Sequence, residues 1–369
     1  MEYYKFNQSR CLVNLSNSIL AHFGVKPFHH TLPELDEILK NHNKVAVVLF
    51  DGLNSYIKKE LLNENDALIK HSNIEIDSVF PPTTVAATTA FLSGKFPYEN
   101  GWLGWCQHFN DLNVTLEMFT NNYFKKEGKY HLQASYIYCP YKSIITLINE
   151  NTNYKAFTLN PKNIPGGEAN NLPHFFELLD KKLKGENNCF LYAYWPEPDS
   201  IIHENGVHSR KTRDNVKYIN KHITRIAKQN KDTLFLIISD HGLIDVINDE
   251  IDEHQDLFEL INLYPSLDSR ATMFIIKDNK QDLFQELFNK YYGNYYQLLT
   301  KTEVLNSDIF GHGIKHPQFE NFIGDFLAIS TSNHAFHIKD EGTNQHYMSA
   351  CHAGGLEIES KISIAIFNK

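Results

Sequence analysis

The stretch 45–52, VAVVLFDG, decides the fold, because six apolar residues run without interruption into Asp51 and Gly52. Continuous apolar runs of strand length are typical of strands that are buried on both faces of a sheet. The same pattern recurs at 189–195 (CFLYAYW), 233–239 (TLFLIIS), 272–277 (TMFIIK) and 361–367 (KISIAIF). These runs predict a sheet that is covered by helices on both sides.

Helical patterns lie between the apolar runs. The clearest follows Ser209, a predicted N-cap, and places Val216, Ile219, Ile223 and Ile226 three and four residues apart. The alternation of strands and helices predicts an α/β fold, a layered α/β/α arrangement with a largely parallel central sheet.

Two stretches depart from this alternation. Residues 107–186 are rich in Asn, Lys and Tyr, whereas residues 250–325 combine a short strand, a helical pattern (QDLFQELFNKYY) and a Gly/His-rich loop (FGHGIKHP). We interpret the second stretch as a smaller cap or insertion on the main domain.

The composition narrows the class of protein. The chain has 369 residues, of which 42% are hydrophobic, so general disorder is excluded. A net charge of −9 argues against binding to duplex nucleic acid. No apolar run reaches the roughly 18 residues of a membrane helix, and the first residues do not resemble a signal peptide. Five cysteines without a CxxC pair favour a reducing cytoplasm and argue against a thiolate zinc site.

Acidic and histidine side chains follow or precede the predicted strands at four places. They are Asp51, Asp199, His203, Asp240, His241 and His352. Ligands of open α/β sheets bind outside the carboxyl ends of the strands, where a buried carboxylate is costly unless it is paired or bound to a metal. Each piece alone is compatible with an ordinary turn, but the four together favour a metal site. Oxygen and nitrogen ligands suit Zn²⁺, with Mn²⁺ as an alternative.

Residues 80–94 (FPPTTVAATTAFLSG) supply a candidate nucleophile. Because Pro81 and Pro82 disfavour a helix before them, the predicted helix begins at Thr83 or Thr84 and ends at Gly94. A helix N-terminus attracts anions, and a hydroxyl placed there can attack phosphorus. Either threonine is equally compatible with a capping role alone.

Five motifs, in this order, resemble the alkaline phosphatase superfamily, and in particular its type I phosphodiesterase/nucleotide pyrophosphatase branch. They are LFDG (49–52), PPTTVAATTAFLSGKFPYENG (81–101), PDSIIHENG (198–206), SDHG (239–242) and HAGG (352–355). The resemblance implies one alkaline-phosphatase-like catalytic domain over residues 1–369, with the cap at about 250–325.

The resemblance also implies a hydrolase with two Zn²⁺ ions, or Mn²⁺ in their place. The implied ligands are Asp199, His203 and His352 for one ion, and Asp51, Asp240 and His241 for the other. Thr84 is the implied nucleophile and touches the second ion, since the family nucleophile lies ten residues before the glycine that is Gly94 here. Two divalent ions against three aspartates leave a locally positive site, which suits a small anionic phosphoester.

The substrate pocket departs from the family pattern. Ala87 stands where nucleotide pyrophosphatases often have an Asn that contacts a phosphate oxygen, so the backbone N–H of Val85 is the expected donor instead. Val85 stands where alkaline phosphatases have an Arg that grips the phosphate, and this argues against a phosphomonoesterase. Sulfatases have Cys or Ser at the position of Thr84, so a sulfatase is not expected. Trp102 and Trp105 are candidates for stacking on a base or lining an apolar pocket, although core packing explains them equally well.

The predicted function is hydrolysis of a phosphodiester or pyrophosphate bond, with nucleotide-type substrates, through a phospho-threonine intermediate. Within the same superfamily, a phosphonate hydrolase and a phosphomutase are alternatives. An alternative of another class is a catalytically silent, metal-stabilised binding protein.

Overall fold

The computed structural model describes residues 2–337 and 347–368. In chain order, the strands are β1 (Lys44–Phe50), β2 (Ser72–Asp77), β3 (Cys106–Phe109), β4 (Val114–Glu117), β5 (Lys155–Leu159), β6 (Cys189–Trp195), β7 (Leu234–Ile238), β8 (Ile244–Asp245), β9 (Ile247–Glu250), β10 (Ile261–Leu267), β11 (Ala271–Ile276), β12 (Tyr296–Thr300), β13 (Phe326–Ser330), β14 (His334–His337), β15 (Ala350–Cys351) and β16 (Lys361–Phe367).

The α-helices, numbered in the same way, are α1 (Leu12–His22), α2 (Pro33–Leu39), α3 (Ser55–Leu61), α4 (Ala67–Lys70), α5 (Thr84–Ser93), α6 (Pro97–Asn100), α7 (Ala134–Tyr138), α8 (Ile144–Asn151), α9 (Leu172–Lys184), α10 (Asp199–Asn205), α11 (Arg210–Gln229), α12 (Gln255–Phe258), α13 (Gln281–Tyr292), α14 (Lys301–Asn306), α15 (Phe319–Phe322) and α16 (Glu357–Ser360). Two short 3₁₀ helices span Asn110–Leu112 and Ile251–Glu253.

The central sheet has six strands in the order β2-β16-β7-β1-β6-β5. Strand β1 pairs in parallel with β6 and β7, β5 pairs in parallel with β6, and β16 is antiparallel to both of its neighbours. The sheet is therefore mixed but mostly parallel, and the predicted α/β class is confirmed.

Both faces of the central sheet are covered, as the apolar run of β1 predicts. Val45, Val47 and Leu49 pack into one core with α1, α2, α5 and α8. Ala46, Val48 and Phe50 pack into a second core, which includes apolar residues of α3, α9 and α11. From Val45 to Phe50 the residues of β1 alternate between two buried faces, so this part of the strand is entirely apolar.

Three local predictions for helices are confirmed. The side chain of Ser209 caps α11 by accepting from the backbone N–H of Thr212. Helix α5 spans Thr84–Ser93, with Thr83 as its N-cap and Gly94 as its C-cap in the left-handed conformation (φ 68°). Helix α13 covers the stretch QDLFQELFNKYY.

A second, antiparallel sheet has the order β12-β13-β11-β10-β3-β4. The pairing of Leu267 with Cys106 joins β10 to β3, so this sheet draws strands from both of the stretches that interrupt the α/β alternation. The single-domain assignment with a cap at about 250–325 stays a prediction.

Among the described residues, the structure has no helix with the length and apolar character needed to cross a bilayer. All five cysteines are buried and free.

Candidate metal centre

Three neighbouring parallel strands bring their carboxyl ends to one edge of the central sheet. Asp51 follows β1, Asp240 and His241 follow β7, and Asp199 begins α10 shortly after β6. The backbone N–H of Asp199 donates to the carbonyl of Asp51 at 3.0 Å, which joins two of these ends directly. The topology thus explains why residues far apart in sequence share one site.

The turn after β1 requires glycine. Gly52 has a φ of +72°, and a Cβ at this position would lie 3.1 Å from both Cα and Cβ of Asp199. Its backbone N–H donates to Asp240 Oδ1 at 3.2 Å. The glycine therefore allows the Asp51 and Asp199 turns to approach each other.

Thr84 is placed at the first position of α5 with its hydroxyl in the centre of the cluster. Its Oγ1 lies 3.2 Å from Asp51 Oδ2 and 3.1 Å from His241 Nε2. Thr83 is the N-cap residue, and its side chain makes no capping hydrogen bond. The first backbone N–H groups of a helix have no partner within the helix, so those of α5 are available to an anion at Thr84.

The remaining histidines come from α10 and from the loop after β15. His203 Nε2 lies 3.2 Å from Asp199 Oδ1, and its Nδ1 lies 2.7 Å from the carbonyl oxygen of Ala350. His352 Nε2 lies 3.8 Å from the same oxygen of Asp199, and its ring centroid is 4.0 Å from that of His241. All six candidate ligands are therefore brought together.

Two groups of these side chains could each hold a metal ion. One consists of Asp51, Asp240 and His241, and the other consists of Asp199, His241 and His352, with ligand atoms in each group within 4.8 Å of one another. The first group is the predicted set. In the second group, His241 stands where the resemblance implies His203. His203 lies outside this group but next to it, because its Nε2 is 3.2 Å from Asp199 Oδ1.

Buried polar atoms without a hydrogen-bond partner also favour a metal site in this cluster. Among the described residues, Asp199 Oδ1, Asp240 Oδ2 and His352 Nδ1 are buried and lack a hydrogen-bond partner. Asp199 Oδ1 lies 3.2 Å from His203 Nε2, which is an ion-pair contact when that imidazole is protonated. Leaving such atoms buried and unsatisfied is costly, and a cation removes the cost.

The electrostatics of the cluster also favour a cation. Burial, and then repulsion from Asp51, raises the pKa of the Asp240 carboxyl well above its usual value. Burial, and then repulsion from Asp199, does the same to the pKa of Asp51. Burial and the neighbouring His241 lower the pKa of His352 well below its usual value. A divalent ion favours ionised carboxylates and neutral imidazoles. Its binding would therefore offset the free-energy cost of ionising the buried carboxyls of Asp51 and Asp240.

A cavity of about 460 Å³ opens beside Thr84. Asp199, His203 and His352 reach it from the candidate metal cluster. The rest of the lining is mixed, and its apolar part, the apolar wall, includes Trp105, Phe124, Phe336, Met348 and Leu267. Asp268 adds a carboxylate to this wall.

The candidate substrate residues occupy different environments. Trp105 lines the cavity and is 40% exposed. Trp102 is fully buried in the core beside the second sheet, and its indole N–H donates to the carbonyl of Cys139. The Val85 side chain is buried in the same core, which leaves only its backbone N–H for a ligand. The position of Trp102 therefore gives no support for substrate contact.

Two further residues of the site escape the sequence analysis. Tyr194 lies in β6, and its hydroxyl donates to Asp51 Oδ2 at 2.5 Å. The sequence does not mark this residue, because tyrosine is common in strands. Asp268 accepts from the backbone N–H of Trp105 at 3.3 Å, and burial raises its pKa to about 6. No motif marks Asp268, because its place in the cavity depends on the pairing of β10 with β3.

Known proteins share this architecture. Residues 45–353 match the family described as type I phosphodiesterase/nucleotide pyrophosphatase. Murine ectonucleotide pyrophosphatase/phosphodiesterase 5, solved on its own and as an inactive variant in complex with AMP, is 14% identical, with 88% of each chain covered and a TM-score of 0.62. The human protein gives the same identity and coverage and a TM-score of 0.63. No curated protein sequence matches the chain.

The solved structures establish the likeness of fold, and the family model extends over most of the chain, including Asp51, Thr84 and His352. The chain belongs to the type I phosphodiesterase/nucleotide pyrophosphatase family, a family of hydrolases in the alkaline phosphatase superfamily.

Proposed function

We propose that this protein is a two-metal hydrolase that cleaves phosphodiester or pyrophosphate bonds of nucleotide-type substrates. The observation that carries the proposal is the Thr84 hydroxyl, which stands at the N-terminus of α5 within 3.2 Å of Asp51 and His241. A nucleophile, an anion-binding helix terminus and two groups of metal-ligating side chains meet at this one point.

The chain's own residues account for the chemistry as follows. Thr84 Oγ1 attacks phosphorus, the bond from phosphorus to the leaving oxygen breaks, and the first product departs with the hydroxyl proton as a phospho-threonine forms. Water then attacks the phosphorus of this intermediate, which releases the second product and restores the Thr84 hydroxyl. Two inversions give overall retention at phosphorus. The backbone N–H of Val85, near the free end of α5, donates to a non-bridging phosphate oxygen, in place of the side chain that Ala87 lacks.

Asp199, His203 and His352 would hold one ion, and Asp51, Asp240 and His241 the other, with Thr84 beside the second. Ions bound there would stabilise charge on the attacking and leaving oxygens. Zinc is the proposed metal, with manganese as an alternative, because the ligands are carboxylates and imidazoles. Tyr194 would keep Asp51 oriented through its hydrogen bond at 2.5 Å.

The cavity supports a nucleotide-type substrate. A volume of about 460 Å³ suits a small organic ligand, and the apolar wall with Trp105 can receive a base or another aromatic leaving group. A murine protein with this fold is described in complex with AMP.

The proposal is tested with the purified chain, a panel of substrates and defined metals. We expect about two transition-metal ions per chain and hydrolysis of bis-p-nitrophenyl phosphate that EDTA abolishes and Zn²⁺ or Mn²⁺ restores. The panel includes dinucleotide pyrophosphates, phosphonates and phosphate monoesters. Isomerisation without phosphate release would indicate a phosphomutase, and full metal loading without any turnover would indicate a binding protein.

A further inference from the structure

A fully buried ion pair connects the second sheet to the segment that follows His352. Arg270 Nη2 and Nε lie 2.8 Å from the two carboxylate oxygens of Glu359, and neither side chain is exposed. Arg270 immediately precedes β11, and Glu359 lies in α16. The pair is bidentate, which fixes the relative orientation of the two segments.

Glu359 also contacts both loops that carry the neighbouring histidines of the metal centre. Its Oε1 accepts from the backbone N–H of Gly354 at 2.8 Å, two residues beyond His352. Its backbone carbonyl accepts from the N–H of Gly242 at 2.8 Å, the residue directly after His241. One residue thus holds the His241 loop and the His352 loop together.

The loop after His352 needs this support. Ala353 adopts a φ of +79°, a left-handed conformation that is strained for a residue with a Cβ and that persists only where its surroundings enforce it. At Gly354, an added Cβ would lie 2.5 Å from Arg270 Nη2 and 2.7 Å from Glu359 Oε2. The ion pair therefore packs directly against the backbone of this loop.

Arg270 is satisfied at every donor. Besides Glu359, its guanidinium donates to Ser330 Oγ at 3.1 Å and to the carbonyls of Ser332 at 2.9 Å and His334 at 2.6 Å. These five contacts use its full set of N–H groups. A fully bonded buried pair of this kind often contributes little net stability, which leaves geometric specificity as its main effect.

We infer that Arg270 and Glu359 are positioning residues for the metal centre, and that they set its affinity for metal by fixing the 4.0 Å approach of the His241 and His352 rings. Among the described hydrogen bonds, Glu359 reaches the two loops through the backbone N–H groups of Gly354 and Gly242, so the pair acts on the histidines through the backbone. The inference rests on the proposed function, because it requires that these histidines bind metal.

The test measures the affinity of the folded protein for Zn²⁺ by competition with a chromogenic chelator. Glu359→Gln keeps the shape and acceptor oxygen but removes the charge that opposes Arg270. We expect the affinity for at least one Zn²⁺ to fall about 10- to 100-fold, as is typical when residues behind the ligands are changed. Gly354→Ala removes no charge but pushes its Cβ against the pair, and it should lower the affinity in the same direction.

Lys44→Met is the matched control. Lys44 is another buried cation, paired with Asp232 at 3.0 Å, but it lies at the start of β1, the end remote from Asp51. It should lower the melting temperature while leaving the affinity for Zn²⁺ unchanged.

The outcomes separate the two proposals. If the wild-type chain binds neither Zn²⁺ nor Mn²⁺, the proposed metal centre is wrong and the positioning role is wrong as well. If the wild type binds two ions and folded Glu359→Gln binds them equally tightly, only the positioning role is overturned. If Glu359→Gln does not fold, the same comparison is made with Gly354→Ala. An affinity for Zn²⁺ equal to that of the wild type overturns the positioning role, and a lower affinity supports it.

Discussion

The Nε2 atom of His241 lies 3.1 Å from the hydroxyl of Thr84, although 157 positions separate the two residues in the chain. The same nitrogen lies 3.3 Å from Asp51 Oδ1. The turns after β7 and β1 carry these two candidate ligands, and α5 carries the hydroxyl. Since the candidate nucleophile and the candidate ligands come from separate elements, each can be altered without removing the others.

Replacing Thr84 by alanine should therefore abolish turnover without loss of metal. Removal of an attacking group costs on the order of 10³-fold or more in kcat, whereas all six ligand side chains remain. Metal content is measured by mass spectrometry beside the rate on bis-p-nitrophenyl phosphate. Thr84→Ser serves as the control because it restores a hydroxyl, and wild-type rates in Thr84→Ala would refute the nucleophile assignment.

The central sheet and the site edge could be predicted because their signals are local. The apolar run at 45–50 predicts a strand buried on both faces, and the polar residue that follows each run marks a strand end. The bounds of α5 were predictable for the same reason, since prolines precede it and Gly94 ends it. Parallel pairing then places Asp51 and Asp240 together without further information.

The residues that escaped prediction depend on contacts between distant segments. Asp268 reaches the cavity because β10 pairs with β3, 161 positions away in the chain. Arg270 and Glu359 carry opposite charges, and charged side chains are usually exposed, yet both are completely buried here. Trp102 shows the opposite case, because a tryptophan beside the motif packs into the core and only Trp105 lines the cavity.

Asp240→Asn should stabilise the metal-free protein and weaken its response to Zn²⁺. Asp240 is fully buried, and its burial and the charge of Asp51 raise its pKa, so removing the carboxylate relieves repulsion in the absence of metal. Zinc should raise the melting temperature of the wild type, because a ligand that binds only the folded state stabilises it. Thermal scans with and without Zn²⁺ check this, and an undiminished rise in Asp240→Asn would exclude the residue as a ligand.

The two tryptophans should separate function from stability. Trp105→Ala should raise the KM for aromatic diesters about tenfold, as expected for a lost stacking contact, with little change in unfolding free energy. Trp102→Ala should instead lower the free energy of unfolding by about 3–5 kcal/mol through the cavity it leaves. Steady-state kinetics and urea titrations on both variants measure these effects, and a reversed pattern would contradict the assignment of Trp105 to the substrate wall.

Asp268→Asn should lower the KM for anionic diesters at pH 8. Burial raises the pKa of Asp268 to about 6, so the wild-type carboxylate is ionised at pH 8 and repels the substrate, but is largely protonated at pH 5. The KM ratio between wild type and variant should therefore be about 2- to 10-fold at pH 8 and close to one at pH 5. Equal KM values for the wild type and Asp268→Asn at pH 8 would show that Asp268 does not act on the bound substrate.

Lys58→Met should stabilise the fold in a pH-dependent manner. Lys58 is almost fully buried, its Nζ donates only to the carbonyl of Ser363 at 2.7 Å among the described contacts, and burial lowers its pKa from 10.5 to about 7. Between these values the unfolded chain holds the proton that the folded chain releases, so wild-type stability rises as pH rises from 7 towards 10.5. The penalty is complete below pH 7 and is absent in the Met variant.

The advantage of Lys58→Met should therefore be larger at pH 6 than at pH 9, by about 2–3 kcal/mol for the two pH units above the folded pKa. Urea unfolding at both pH values measures it. Lys59→Met is the control, because the side chain of Lys59, next to Lys58 in the chain, is exposed. The effect of this substitution on stability should not depend on pH. An equal advantage at both pH values would mean that Lys58 keeps an ordinary pKa inside the fold, because only a depressed pKa makes the burial penalty disappear as pH rises.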